Sequence, residues 1–210
     1  MNKITLTIKI ERAISELRRG GKLVVSDNST GISVLLLASE LIESETVDQL
    51  TNLALSRPNI ILSENRSKAI GIKNPSGPCS ILIKNSWTKE DILSLCMPLT
   101  GHVSPKIDGV LNESKNGIVS QCLLLLRQSR LLPAGLMTII SKVSVEHINR
   151  WTFNNNLINV NVSDIKTYEK VNANNLVMAV KAKVPISYTD NCEIIIFRPK
   201  DGGEEHFCLV

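Results

Sequence analysis

The stretch KNGIVSQCLLLL, residues 115–126, constrains the fold of this chain more than any other. Gly117 breaks a polar segment, and the residues behind it are rich in apolar side chains without turn residues. The spacing predicts a helix over residues 117–128. Cys122, Leu123, Leu124, Leu125 and Leu126 follow one another. At about 100° per residue, five consecutive apolar positions reach every side of a helix, so this one cannot lie on a surface with one face in water. It has to be buried on most sides, in a protein built in layers around it.

The rest of the chain supplies such layers. Ile10, Ala13, Ile14 and Leu17 have the i, i+3, i+4, i+7 spacing of an amphipathic helix. Gly20-Gly21 stops it. Short apolar runs at 23–25, 34–38, 59–62, 79–84, 136–140 and 157–162 have strand length. Between them lie helical patterns at 46–55, at 88–95 and from a cap at Ser144 to about Trp151, with a short one at 164–170. Thr88 and Asp91 have the spacing of a capping box. The alternation predicts an α/β fold: a mixed-sheet domain with flanking helices.

After Lys170 the texture changes. VNANN, 171–175, is a polar linker, and residues 177–184 alternate apolar and polar. Two apolar runs, 193–197 and 207–210, flank KDGGEEH, which predicts a β-hairpin. Residues 1–170 therefore form one domain. Residues 171–210 are a linker and the first strands of a second, β-rich domain, because a hairpin alone is marginally stable.

Several function classes are excluded. The formal charge is +4, Lys and Arg are scattered, and aromatics make up 3% of the chain. Nucleic-acid binding would need a dense basic run or stacking rings, so no nucleic-acid partner is expected. No apolar run approaches the ~20 residues of a membrane span. Charges interrupt the apolar N-terminus MNKITLTIKIERA, so it is no secretory signal. A cytoplasmic protein without a membrane partner is expected. The five cysteines, at 79, 96, 122, 192 and 208, lack zinc-knuckle spacing and read as reduced, mostly buried thiols.

IERAISELRRGGKLVV (10–25), LLLASE (35–40), PLTGHVSPKIDGVL (98–111), LLPAGLMTII (131–140) and LINVNVSDIKTYEK (157–170) together resemble 3,4-dihydroxy-2-butanone 4-phosphate synthase of riboflavin biosynthesis. The tail EIIIFRPKDGGEEHFCLV resembles the first hairpin of GTP cyclohydrolase II, to which that synthase is often fused. The family cleaves ribulose 5-phosphate to the butanone phosphate and formate, using Mg²⁺ and a set of acid–base side chains, and its active members are homodimers. The resemblance therefore implies a homodimer and a fused or associated cyclohydrolase II partner. The zinc cysteines of that partner do not fall within these residues.

The residues that carry the family's chemistry are replaced. Its first acidic loop falls on Ser26–Val34: the metal-binding Glu becomes Thr30, the adjacent Arg Ser29, and a later Asp Val34, while Asp27 alone keeps a carboxylate. Its R-x-G-H-T-E turn falls on Lys115–Ser120, with Ile118 for the His and Val119 for the Thr. A further Glu becomes Ile139, and the T-T-G-I-S motif is replaced by NSWTKEDILSL. Mg²⁺ prefers oxygen donors, and an acid–base set that acts as a unit is not repaired by its remnants. The expectation is no catalytic residue, no metal ligand and no cofactor in this chain. Asp27, His102 and Lys115 remain as candidates for a residual phosphosugar site. The chain would serve as an inactive, dimerising scaffold for the cyclohydrolase part; the alternative is an active or rebuilt lyase or phosphosugar-binding domain built on those three residues.

Overall fold

The computed structural model describes residues 3–97, 103–144, 146–173, 176–189, 191–199 and 205–210. The chain divides into two compact units, Met1–Lys166 and Thr167–Val210.

The first unit opens with α1 (Lys3–Arg18), ended by Gly20 at φ +87°. A hairpin follows, β1 (Leu23–Asp27) and β2 (Ile32–Ala38), then a short 3-10 helix Ser39–Leu41. Next come α2 (Thr46–Ala54), β3 (Asn59–Leu62), α3 (Glu64–Ala69), β4 (Cys79–Leu82), α4 (Lys89–Cys96) and β5 (Val110–Asn112). Then follow α5 (Ile118–Gln128), β6 (Ala134–Ile139), α6 (Ile148–Asn154), β7 (Ile158–Asn161) and α7 (Val162–Ala173), whose last residues belong to the second unit. The seven strands form one mixed sheet in the order β5-β4-β3-β6-β2-β1-β7. Only β1 and β7 pair in parallel; the other neighbours are antiparallel.

Because side chains alternate across a strand, the register divides the core between two faces. Val24, Leu35, Leu37, Ile60, Leu62, Ile81 and Leu136 pack with Leu50 and Ala54 of α2, Ile92 and Leu95 of α4 and Ile148 of α6. Leu23, Val25, Leu36 and Ile61, on the alternate parity, are fully buried on the other face. There α5 reaches the sheet over Gly135. A Cβ on Gly135 would lie 2.5 Å from the Leu37 carbonyl oxygen and 3.1 Å from Cδ1 of Leu126.

The chain itself buries Cys122, Leu123, Leu125 and Leu126 of α5, while Leu124 is half-exposed. The helix is therefore covered on most sides, as its composition requires. The Thr88–Asp91 capping box forms in both directions. Ser144 does not cap a helix: its hydroxyl meets Nδ1 of His147 at 2.8 Å, and α6 starts only at Ile148. Two elements carry no periodic signal, α3 and β5.

The second unit is a three-stranded antiparallel sheet, β10-β9-β8, of β8 (Leu176–Lys183), β9 (Glu193–Pro199) and β10 (His206–Leu209). A bulge falls between Met178 and Val180. The β9/β10 register bears out the hairpin, whose turn at 200–204 lies outside the described residues. Residues 171–173, read as linker from sequence, are the end of α7, and the compact units part within that helix. A second, small sheet is present as expected, and the fold is mixed α/β.

No disulfide forms: Cys79, Cys96, Cys122 and Cys192 are buried and Cys208 is exposed. Burial pushes the Cys96 thiol up to about 12, and pushes Cys122 upward as well, so both remain protonated small hydrophobes. Among the described residues no helix is long and apolar enough to cross a membrane.

Candidate functional site

Asp27 ends β1, and the next four residues turn the chain into β2. Its Oδ1 accepts from the Ser29 amide at 2.9 Å and from the Ser29 hydroxyl at 2.6 Å. The Asp27 carbonyl accepts the Gly31 amide at 2.9 Å, with Gly31 at φ +74°. This is an Asx turn, in which a short carboxylate stands in for a backbone acceptor. Burial alone would raise the Asp27 carboxyl; hydrogen bonds from Ser29 and Thr30 outweigh it and hold the group below its ordinary value. The carboxylate is ionised and committed to its own loop.

Gly117 sits at the N-cap of α5 in an extended conformation with no side-chain cap. Ser114 closes the turn: its carbonyl accepts the Gly117 amide at 3.1 Å and the Ser120 hydroxyl at 3.3 Å. Ile118 is half-buried and Val119 is buried. Neither side chain offers a donor atom to a metal. Ile139 stands directly opposite Val34 on neighbouring strands, so two positions that the resemblance assigns to carboxylates form an apolar cross-strand pair.

Lys115 points elsewhere. Its side chain is 70% exposed and its Nζ lies 3.9 Å from Oε2 of Glu64. Glu64 also pairs with Lys68 at 2.6 Å, and the Lys68 hydrogen bond and charge, with Lys115 adding, hold its carboxyl below the ordinary range. Glu64 follows the end of β3 where Leu62 meets Ala134, the end of the sheet opposite to Asp27. Three strand spacings separate β3 from β1. At ~4.8 Å each, that is about 14 Å sideways before the length of the strands is counted. Asp27 and Lys115 are therefore not brought together on one small ligand. His102 lies outside the described residues.

Sequence reasoning missed Glu64, because α3 has only six residues; the Glu64–Lys68 spacing of four was the available signal. It also missed Gln121, one turn into α5, whose Oε1 is buried without a partner. The short hydrogen bond from Ser80 to Glu113 joins β4 to the residue after β5.

The residues that the resemblance places at metal and acid–base positions do not fit Mg²⁺. Thr30, Val34, Ile118, Val119 and Ile139 supply one hydroxyl and no carboxylate, whereas Mg²⁺ is held through carboxylates, substrate and water. Among the described residues, no group of three or more His, Cys, Asp or Glu side chains is placed to hold a metal ion. No step through a metal is derived.

A scan against protein-family profiles finds no match. The chain is 24% identical over 209 residues to a GTP cyclohydrolase-2 of Azospirillum brasilense, covering 96% of this chain and 52% of that protein. It thus spans about half the length of the curated relative it matches. A two-domain 3,4-dihydroxy-2-butanone 4-phosphate synthase from A. baumannii superposes with a TM-score of 0.60 at 14% identity, covering 96% of this chain and 69% of that one. The Candida albicans synthase gives 0.59 at 19% identity, over 76% of this chain and 96% of that one. A synthase solved with two magnesium ions gives 0.60 at 13% identity, over 78% of this chain and 97% of that one. The chain has the fold of the synthase structures and is similar in sequence to that cyclohydrolase II.

Proposed function

We propose that this chain belongs to a riboflavin-biosynthesis protein of the synthase–cyclohydrolase type, that its first unit is silent as a lyase, and that this unit acts as a dimerising scaffold. The second unit is then the opening of a cyclohydrolase II-like body, whose GTP chemistry requires residues other than these. The assembly is a cytoplasmic homodimer.

One observation carries the reading: apolar and turn-forming side chains occupy the acid–base positions while the packing positions are held. Val34 and Ile139 face each other. Ile118 and Val119 open α5. Asp27, the carboxylate that remains, is spent on the Ser29 turn. By contrast Gly135, in the retained P-A-G segment, still gives α5 the close approach its core requires.

The dimer surface is sought on the sheet face that α5 covers only in part. Leu82 is 52% exposed, Leu111 52% and Ile139 50%, and by register all three lie on the Gly135 face. Leu124 of α5 borders a groove with Ser63, Pro78, Arg127 and Pro133. Exposed apolar side chains on one face are the candidates for such an association surface.

Light scattering at micromolar concentration tests the scaffold. A dimer is expected, and Leu82→Asp with Leu124→Asp should give a folded monomer. Lys115→Ala should leave mass and stability unchanged, because an exposed pair at 3.9 Å contributes little. A wild-type chain that is folded and monomeric removes the scaffold role.

A further inference from the structure

The first unit contains a further polar cleft, away from Asp27, Lys115 and the turn before α5. It measures about 400 Å³ and lies beside the Leu23/Ala38 end of the sheet. Four parts of the chain meet there: Arg19, Gly20 and Lys22 before β1, residues 40–43 after β2, Thr46 and Gln49 of α2, and Lys89 at the start of α4. That volume is within the ~300–1,000 Å³ of small-ligand sites.

Its charges are arranged unlike those of an ordinary surface. Arg19 and Lys22 come from the connection before β1 and Lys89 from the start of α4; Lys22 and Lys89 are half-buried and Arg19 is exposed. Glu40 and Glu43 line the same cleft. Yet none of these cations lies within 4 Å of a carboxylate among the described residues: Lys22 gives its Nζ to Oε1 of Gln49 at 3.2 Å, and Oε2 of Glu40 accepts the Leu132 amide at 3.3 Å. Arg19, Lys22 and Lys89 thus line one cleft together with the apolar side chains of Leu37, Leu41 and Ile42.

We propose that this cleft is a binding site for a small organic phosphate. The Arg19 guanidinium supplies a fork of donors and the two ammonium groups supply point charges, a combination that suits the three oxygens of a phosphate monoester. The apolar side chains take the carbon skeleton, and Glu43 at the rim accepts from its hydroxyl groups. The site is independent of the lyase positions and of the dimer surface. A ligand here would couple metabolite level to the stability of the unit, since whatever binds the folded form stabilises it.

The test titrates the full chain with inorganic phosphate, then ribose 5-phosphate, at ionic strength held constant with chloride, and follows backbone amide shifts by NMR. Saturable shifts at Gly20, Lys22, Thr46 and Gln49 are expected, with the ester binding more tightly than inorganic phosphate. Lys22→Gln with Lys89→Gln, which keeps most of each stem, should weaken binding by about tenfold or more. Lys115→Gln, beside Glu64, should leave it unchanged. Unsaturable shifts, shifts centred on Gly117–Ser120 instead, or full binding by a double variant with wild-type circular dichroism would each overturn the assignment.

Discussion

Replacing Gly135 with alanine places one methyl group where the fold has no space for it. The new Cβ falls 2.5 Å from the Leu37 carbonyl oxygen, about 0.9 Å short of the 3.4 Å at which ordinary contact begins. It also falls 3.1 Å from Cδ1 of Leu126. Leu126 can turn away, but the carbonyl is backbone of β2, paired with β6 through Ala38 and Gly135. Relief requires β2 and β6 to move apart. Overpacking of this kind costs ~1–3 kcal/mol, and a backbone obstacle places Gly135→Ala near the upper limit, about 3 kcal/mol. With a urea slope of ~2 kcal/mol/M, the unfolding midpoint should fall by about 1.5 M. Trp87 and Trp151, both in the first unit and packed against its core, report the transition by fluorescence. Gly31→Ala is the control: Gly31 has φ +74° but nothing within 4 Å of its Cβ, so it pays only the left-handed backbone penalty of ~1 kcal/mol. A Gly135→Ala midpoint equal to that of Gly31→Ala, at unchanged slope, would refute the close-approach argument.

Two further outcomes concern the turn and the cap. Asp27 has a folded-state pKa below its unfolded value, so its contribution is present above the unfolded value near ~4 and is lost as pH falls through the folded one. Asp27→Ala should therefore cost about 1–2 kcal/mol at pH 7 in urea unfolding, with the difference from wild type shrinking below about pH 4; a difference that grows in acid would refute this sign. Thr88→Ala removes the half of the capping box in which the Thr88 hydroxyl accepts the Asp91 amide, leaves the Thr88 amide on the Asp91 carboxylate, and should cost about 1 kcal/mol. Hydrogen exchange at the amides of residues 89–92 should rise with it, and unchanged exchange would contradict the cap.

Much of the fold was legible because it rests on local signals. The apolar run 59–62 is β3 to the residue, and Thr88 with Asp91 is the cap that their spacing implies. The 122–126 run demanded burial, and the sheet, α1 and the chain around Gly135 provide it. What failed was short or polar. Glu64–Ala69 is too brief for a helical period, and the three residues of β5 are paired only because Cys79, Ser80 and Ile81 lie opposite. Ser144 has the right residue type for a cap, but it bonds His147 and α6 begins beyond both. At the candidate site, that Thr30, Ile118, Val119 and Ile139 offer one hydroxyl and no carboxylate or imidazole was readable residue by residue. The pairing of Lys115 with Glu64 and its separation from Asp27 were not, because strand order decides them. The cleft of Arg19, Lys22 and Lys89 was invisible for the same reason: its residues meet only once the sheet has formed.

The central claim is that the synthase unit folds around an emptied site, and formate release tests it most directly. The purified chain is incubated with ribulose 5-phosphate and Mg²⁺, and formate is assayed against a no-enzyme control, with an active synthase as positive control. The account predicts no formate above background at any Mg²⁺ concentration. Magnesium-dependent turnover that disappears in Asp27→Ala, with the variant still folded, would contradict it.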